Sequence, residues 1–161
     1  MTPSTNGVLV TREENGVMSE KSRGQRSDYR RFVPISTRWA DNDVYGHINN
    51  AAYYGYIDTA VNQLLIEAGL LDPETSPEIF LVVESGCRYH AAAHYPDTIH
   101  AGVRVGHLGR SSVRYEVGLF RNGENEAAAE GHFVHVMVGR DDRRPAAIEG
   151  DLRHFMEALK A

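Results

Sequence analysis

The stretch Asn50-Ala-Ala-Tyr-Tyr-Gly-Tyr-Ile-Asp-Thr-Ala-Val-Asn-Gln-Leu-Leu-Ile-Glu-Ala68 decides the fold class. Tyr54, Ile57, Val61, Leu64, Leu65 and Ala68 recur at three- and four-residue steps, which places them on one apolar stripe of an α-helix. Asn49 has the side chain of an N-cap, and Gly69 suits the left-handed residue that ends a helix. At ~1.5 Å per residue the helix is about 28 Å long. Tyr53, Tyr56 and Ala60 add apolar surface beside the stripe. A helix apolar over so much of its circumference needs cover, and a sheet wrapped around it supplies that cover.

The rest of the chain provides the strands. Tyr29 to Trp39 alternates and is rich in β-branched residues, and Pro34 puts that strand at an edge or a bulge. Residues 71–78 form a loop with two prolines. Ile79 to His90 reads as a second strand. In the third, Ile99, Ala101, Val103 and Val105 share a face, with His100, Gly102, Arg104 and Gly106 opposite. Val113, Tyr115, Val117 and Leu119 share a face of the fourth, and Asn122-Gly123 signals a hairpin before the fifth, Ala127 to Gly139. Asp151 to Leu159 reads as a short helix. The order is strand, long helix, then four antiparallel strands expected as a meander, an α+β class. Residues 1–28 are polar and without periodicity, and are expected as an unstructured arm or a strap over a neighbouring subunit. Residues 29–161 are expected as a single domain.

Composition narrows the function. A chain of 161 residues holds one domain, and 42% hydrophobic with 24% charged residues is a globular balance. Seventeen Lys and Arg against twenty-two Asp and Glu give −5, which argues against nucleic acid as a partner. A bound anion must then be held by a local arginine cluster. Cys87 stands alone, so no internal disulfide or cysteine-based zinc site forms, and a lone thiol suits a reducing compartment. No run approaches the ~20 apolar residues of a membrane span, and residues 1–16 lack a signal-peptide core. The expected location is cytoplasmic, with no membrane partner.

The densest polar constellation is Arg38-Trp39-Ala40-Asp41-Asn42-Asp43-Val44-Tyr45-Gly46-His47-Ile48-Asn49-Asn50, between the first strand and the helix. A helix N-terminus offers unpaired amides and positive potential to an oxygen that becomes anionic during reaction. A carboxylate at Asp43 could act on a group held there. Asp41 and Asn49 read as turn and cap residues, and for Asp43 the residues alone leave loop and catalysis equally open. A calcium loop fails, because Tyr45 and Ala52 occupy positions that need oxygen ligands. Asp43 and His47 are too few for a metal site.

The run Arg38-x-x-Asp41-x-Asp43-x-x-Gly46-His47-x-Asn49-Asn50-x-x-Tyr53, opening a long helix, resembles the hotdog-fold acyl-CoA thioesterases of the 4-hydroxybenzoyl-CoA thioesterase-like family. Leu108-Gly109-Arg110-Ser111-Ser112-Val113 resembles that family's turn between the third and fourth strands, and the similarity spans residues 29–158. The resemblance implies a hotdog fold: an antiparallel sheet around one central helix. It implies Asp43 as the catalytic carboxylate, acting as general base or nucleophile. It implies the backbone amide of Asn50 as the group that polarises the thioester carbonyl, with His47 bonding Asp43 or substrate, or bracing the turn. Gly109, Arg110, Ser111 and Ser112 fall where relatives contact the nucleotide end of coenzyme A. Tyr45, Asn49 and Tyr53 are candidates for the acyl pocket. No metal and no separate cofactor are expected, since coenzyme A belongs to the substrate. Self-association as a homodimer or homotetramer is implied, with Arg110 reaching the site of its own or the neighbouring subunit.

Asp58, on the stripe side, needs a partner, and Arg38 is the candidate. Two other functions compete with thioester hydrolysis: a hotdog hydratase or dehydratase acting on acyl thioesters, and a non-catalytic acyl-CoA binding module. The hydratase pattern Asp-x-Asn-Pro-x-His is absent.

Overall fold

A computed structural model describes residues 22–161. Five strands form one antiparallel sheet: β1 (Arg31–Ser36), β2 (Glu78–Tyr89), β3 (Thr98–Leu108), β4 (Ser112–Arg121) and β5 (Ala129–Gly139). Two α-helices accompany it, α1 (Asn50–Glu67) and α2 (Gly150–Ala158).

The sheet order is β1-β3-β4-β5-β2, so the expected four-strand meander is corrected. Only β3, β4 and β5 follow one another in space. β1 takes the free edge of β3, with Arg31 opposite Val103, and this displaces β2 to the far edge beside β5. Alternation reveals which face of a strand is buried but not which neighbour it takes. Pro34 does sit on an edge strand, where a missing N–H costs no ladder bond.

The sheet curls around α1. The buried face of α1 is Tyr53, Tyr56, Ile57, Ala60, Val61 and Leu65. The stripe is therefore rotated from the expected one: Tyr54 is half-buried and Ala68 is exposed. Against it lie Val103, Val105, Val113, Tyr115, Val117 and Leu119. Contact is close enough that a Cβ at Gly131 on β5 would collide with the Cδ1 of Ile57, so a larger residue there would force that side chain to move. Ile57 is fully buried. Truncating it to alanine would cost on the order of 2–5 kcal/mol. Asn49 caps α1 by accepting from the Ala51 amide at 2.9 Å, and Gly69 closes it in the left-handed region, φ 71°.

Arg38 and Asp58 do not pair. Asp58 is exposed and bonds Asn62, one turn on, whereas Arg38 pairs with Asp41 at 2.8 Å. Residues 1–21 of the expected arm lie outside the described residues. Residues 22–28 pack against the domain: Arg23 donates to the Ala127 carbonyl, and Arg26 donates to the carbonyls of Asn122 and Glu124. Asn122-Gly123 turns the chain as expected, with Asn122 at φ 50°. The turn is not a tight hairpin, because the Asn122 amide bonds Thr98 and β5 starts only at Ala129.

Among the described residues Thr37, Asp41 and His135 are the buried polar side chains, and only His135 lies within a strand. His135 on β5 is 2% exposed, packs against Phe80, Tyr115 and Phe133, and neither ring nitrogen has a partner among the described residues. Burial pushes its imidazole below the usual histidine range, and the Asp58 carboxylate only partly opposes this. The unfolded chain therefore binds this proton at a higher pH than the native one, so stability is complete above ~6.5 and falls as pH drops below it. Urea midpoints at pH 7.5 and 5.5 should differ less in His135→Leu than in the wild type. The difference should shrink by up to about 1.4 kcal/mol, and an unchanged difference would show that His135 is not the group responsible.

Candidate active site

The loop between β1 and α1 is built around two carboxylates with different jobs. Asp41 is 4% exposed. Its Oδ2 accepts from the Arg38 amide at 2.9 Å and from the Tyr56 hydroxyl at 2.7 Å, and its Oδ1 accepts from Arg38 Nε and Nη2. Burial raises its carboxyl pKa, and the bonds from Arg38 and Tyr56 outweigh burial, so the group sits below the usual carboxylate range. Its carbonyl accepts the Asn49 amide at 2.8 Å, which ties the far end of the loop to the same residue. Asp41 was expected as a turn residue, and it is also the anchor of the loop.

Asp43 is half-buried and organises the tip. Its Oδ1 accepts the amides of Tyr45 at 2.8 Å and His47 at 3.4 Å. Its own amide bonds the His47 carbonyl at 2.7 Å, and Gly46 completes the turn at φ 82°, a conformation that favours glycine. Asp43 Oδ2 accepts no hydrogen bond among the described residues. Ile48 then pins the loop to Ala93 by its amide, and Asn42 Oδ1 accepts from the Tyr95 amide.

These bonds decide which helix amide stays unpaired. The Ala51 amide goes to Asn49 Oδ1 and the Ala52 amide to the Asn49 carbonyl. The Asn50 N–H has no acceptor among the described residues. Asn50, Asp43, His47, Ile48 and Tyr53 line one open cleft of about 430 Å³, closed on the other side by Tyr89, His90, Ala91 and Ala92. The Tyr89 hydroxyl donates to the Asn50 carbonyl at 3.0 Å and its ring meets Tyr53 edge-on. Burial raises the pKa of the Tyr53 and Tyr89 hydroxyls, so both stay protonated donors at neutral pH.

Tyr45 is 82% exposed and Asn49 is committed to its cap, so neither lines the cleft. Tyr89 and His90 do line it, and sequence reading passed over them. They arrive from the end of β2, and only the sheet order brings that end to α1. A larger hollow of about 520 Å³ on the outer face of the sheet holds none of the loop residues. Of the charges that line it, Arg104 and Arg114 both approach Glu116, at 2.8 and 3.8 Å. Among the described residues there is no group of three or more His, Cys, Asp or Glu that could hold a metal, and no helix long and apolar enough to cross a membrane.

Gly109, Arg110, Ser111 and Ser112 do not join the cleft. They form the β3–β4 turn at the C-terminal end of β3, whereas the Asp43 loop is tied to residues 93–97 before its N-terminal end. Eleven residues at ~3.3 Å span roughly 33 Å. Within one chain Arg110 is out of reach of Asp43.

Residues 45–128 match the pattern of the thioesterase superfamily. The chain belongs to the thioesterase superfamily. Comparison with curated proteins finds no match. The PA5185 protein of Pseudomonas aeruginosa is 52% identical, with a TM-score of 0.84 over 86% of this chain and 97% of that one. A thioesterase of Thermus thermophilus, solved with coenzyme A and Zn, is 30% identical, with a TM-score of 0.68 over 83% and 96%. A DHNA-CoA thioesterase of Staphylococcus aureus shares the fold at 21% identity, with a TM-score of 0.69 over 79% and 86%. The architecture of this thioesterase-superfamily domain is thus the hotdog fold.

Tyr56→Phe removes one donor from the buried Asp41 and should destabilise the protein by about 1.5–3 kcal/mol. The check is a lower urea midpoint at unchanged m-value, and an unmoved midpoint would remove Asp41 as the anchor.

Proposed function

We propose that the protein hydrolyses an acyl-CoA thioester to the free acid and coenzyme A. The observation that carries this reading is the meeting in one cleft of a carboxylate oxygen and a helix amide that have no partner among the described residues, Asp43 Oδ2 and Asn50 N–H. A thioester carbonyl accepts from Asn50 N–H, where the α1 dipole favours the charge that develops on its oxygen. Asp43 takes a proton from water as the hydroxide adds to that carbon, or adds to the carbon itself. Collapse of the tetrahedral species breaks the C–S bond: on the general-base route the thiolate leaves with the proton that Asp43 took from water, and on the nucleophile route it leaves an acyl-aspartate, which water then hydrolyses to the free acid while supplying that proton. His47, on the rim of the same cleft, is placed to bond Asp43 or the substrate. Tyr53 and Tyr89 form the wall available to the acyl group.

The β3–β4 turn supports coenzyme A as the carrier. Its exposed Arg110, with Ser111 and Ser112, offers donors to phosphate. The related Thermus thermophilus protein was solved with coenzyme A. Because the turn and the cleft stand at opposite ends of β3, one substrate can span both only if a second copy of the chain supplies the turn. The working unit is accordingly a homodimer or a dimer of dimers. His47 beside Asp43 keeps a hydratase on acyl thioesters as the second reading, and that chemistry releases no thiol.

Thiol release from short, medium, long and aromatic acyl-CoAs tests the proposal. Asp43→Asn should lose about 10²-fold or more in kcat while keeping its fold. Equal thiol release by both proteins would discard Asp43. Loss of enoyl absorbance without thiol would favour the hydratase, and acyl-CoA raising the melting temperature with neither reaction would leave a binding module.

A further inference from the structure

The β3–β4 turn has no free acceptor on its backbone. The Ser112 carbonyl accepts the Gly109 amide at 2.8 Å, the Ser111 carbonyl accepts the Met137 amide at 2.7 Å, and the Arg110 carbonyl accepts the Ile148 amide at 2.8 Å. The fourth, the Gly109 carbonyl, is the only one taken by a side chain: Arg153 Nη1 donates to it at 3.1 Å and to the Ile148 carbonyl at 3.2 Å. The amides of Arg110 and Ser111 have no acceptor among the described residues. With its backbone carbonyls engaged, the turn presents two amides and the Arg110 guanidinium as donors, and two hydroxyls that can turn their O–H toward an anion. Beside it lies a hollow of about 500 Å³ bounded by Arg110, Ile148, Glu149 and Arg153.

Arg153 is held where it is by its own helix. Met156, one turn further along α2, is fully buried, and the Leu159 carbonyl just after α2 accepts the Val105 amide of β3 at 2.8 Å. Arg153 thus bridges two anchored segments, the end of β3 and the 145–149 segment before α2. Without it the Gly109 carbonyl has no partner and is free to swing toward whatever the turn binds. An exposed carbonyl oxygen beside a phosphate is repulsive, and a turn missing one of its four ties is less fixed in shape.

We infer that Arg153 is a positioning residue for the nucleotide end of coenzyme A: by holding back the Gly109 carbonyl it keeps the turn a rigid surface of donors. This rests on the reading of Gly109–Ser112 as the coenzyme A site, and it extends that site to the C-terminal segment. Arg153 itself need not touch the ligand.

The test compares an acyl-CoA that the wild type hydrolyses with the same acyl group on pantetheine, which lacks the nucleotide. Arg153→Met should raise KM for the acyl-CoA about tenfold, the effect of losing one well-placed hydrogen bond to charge, with kcat within about twofold. Kinetics on acyl-pantetheine should not move. Arg153→Lys, which keeps one charged donor, should recover part of the KM, and it keeps the question open if methionine unfolds α2. Equal impairment on both substrates would reduce Arg153 to a structural role and overturn the inference. An unchanged KM in Arg153→Met, with KM raised in Arg110→Ala, would overturn it while leaving the coenzyme A reading intact. No effect of Arg110→Ala on KM would instead remove the coenzyme A reading itself.

Discussion

The buried carboxylate of Asp41 is the constraint on which the mouth of the cleft depends. An ionised group 4% exposed costs several kcal/mol in lost hydration unless it is fully bonded. Asp41 meets that cost with donors from two directions: the Arg38 amide and guanidinium from the end of β1, and the Tyr56 hydroxyl from inside α1. The three residues lock strand to helix. Because the Asp41 carbonyl also accepts the Asn49 amide, the same residue fixes the start of the loop and its return. The loop of residues 42–48 is closed between these two attachments, and Asp43 has little freedom left. Its Oδ1 is used to shape the turn, and its Oδ2 is left without a donor among the described residues.

The helix N-terminus follows the same logic. Three amides open α1, and two are satisfied by Asn49, one by its side chain and one by its carbonyl. A cap is usually read as stabilisation. Here it also selects, since it removes the competing donors and leaves Asn50 N–H alone beside Asp43. The cap made by Asn49 and the role proposed for Asn50 therefore rest on one hydrogen-bond arrangement.

Much of this was legible in the sequence, and the exceptions share a cause. The long helix, its two ends and the inward faces of β3 and β4 follow from periodicity, which is a local property. The loop residues cluster within a few positions of one another, so their meeting is also local. Neighbour choice among strands is not local, so β2 moved from the start of the expected meander, beside β3, to the far edge beside β5, carrying Tyr89 and His90 into the cleft unannounced. Asp41 misled for another reason. Its type and spacing suit a turn, and only Tyr56, fifteen residues on, reveals that it is buried.

On the proposed reading, a chain of net charge −5 binds an anionic substrate against its own average field. Distance helps little here, because exposed charges further apart than about 8 Å are screened at physiological salt. What matters is the immediate polarity of the surface that meets the anion. The β3–β4 turn answers this by geometry more than by charge count. It carries one exposed arginine, and its backbone is arranged so that every carbonyl is engaged elsewhere and two amides are not. On the same reading the Asn50 amide meets the same problem near the other end of β3, where the charge would be a developing oxyanion. At the turn the carbonyls are drawn off into protein hydrogen bonds and the donors left over define what can bind, whereas the cleft keeps one amide and one carboxylate oxygen unbonded among the described residues.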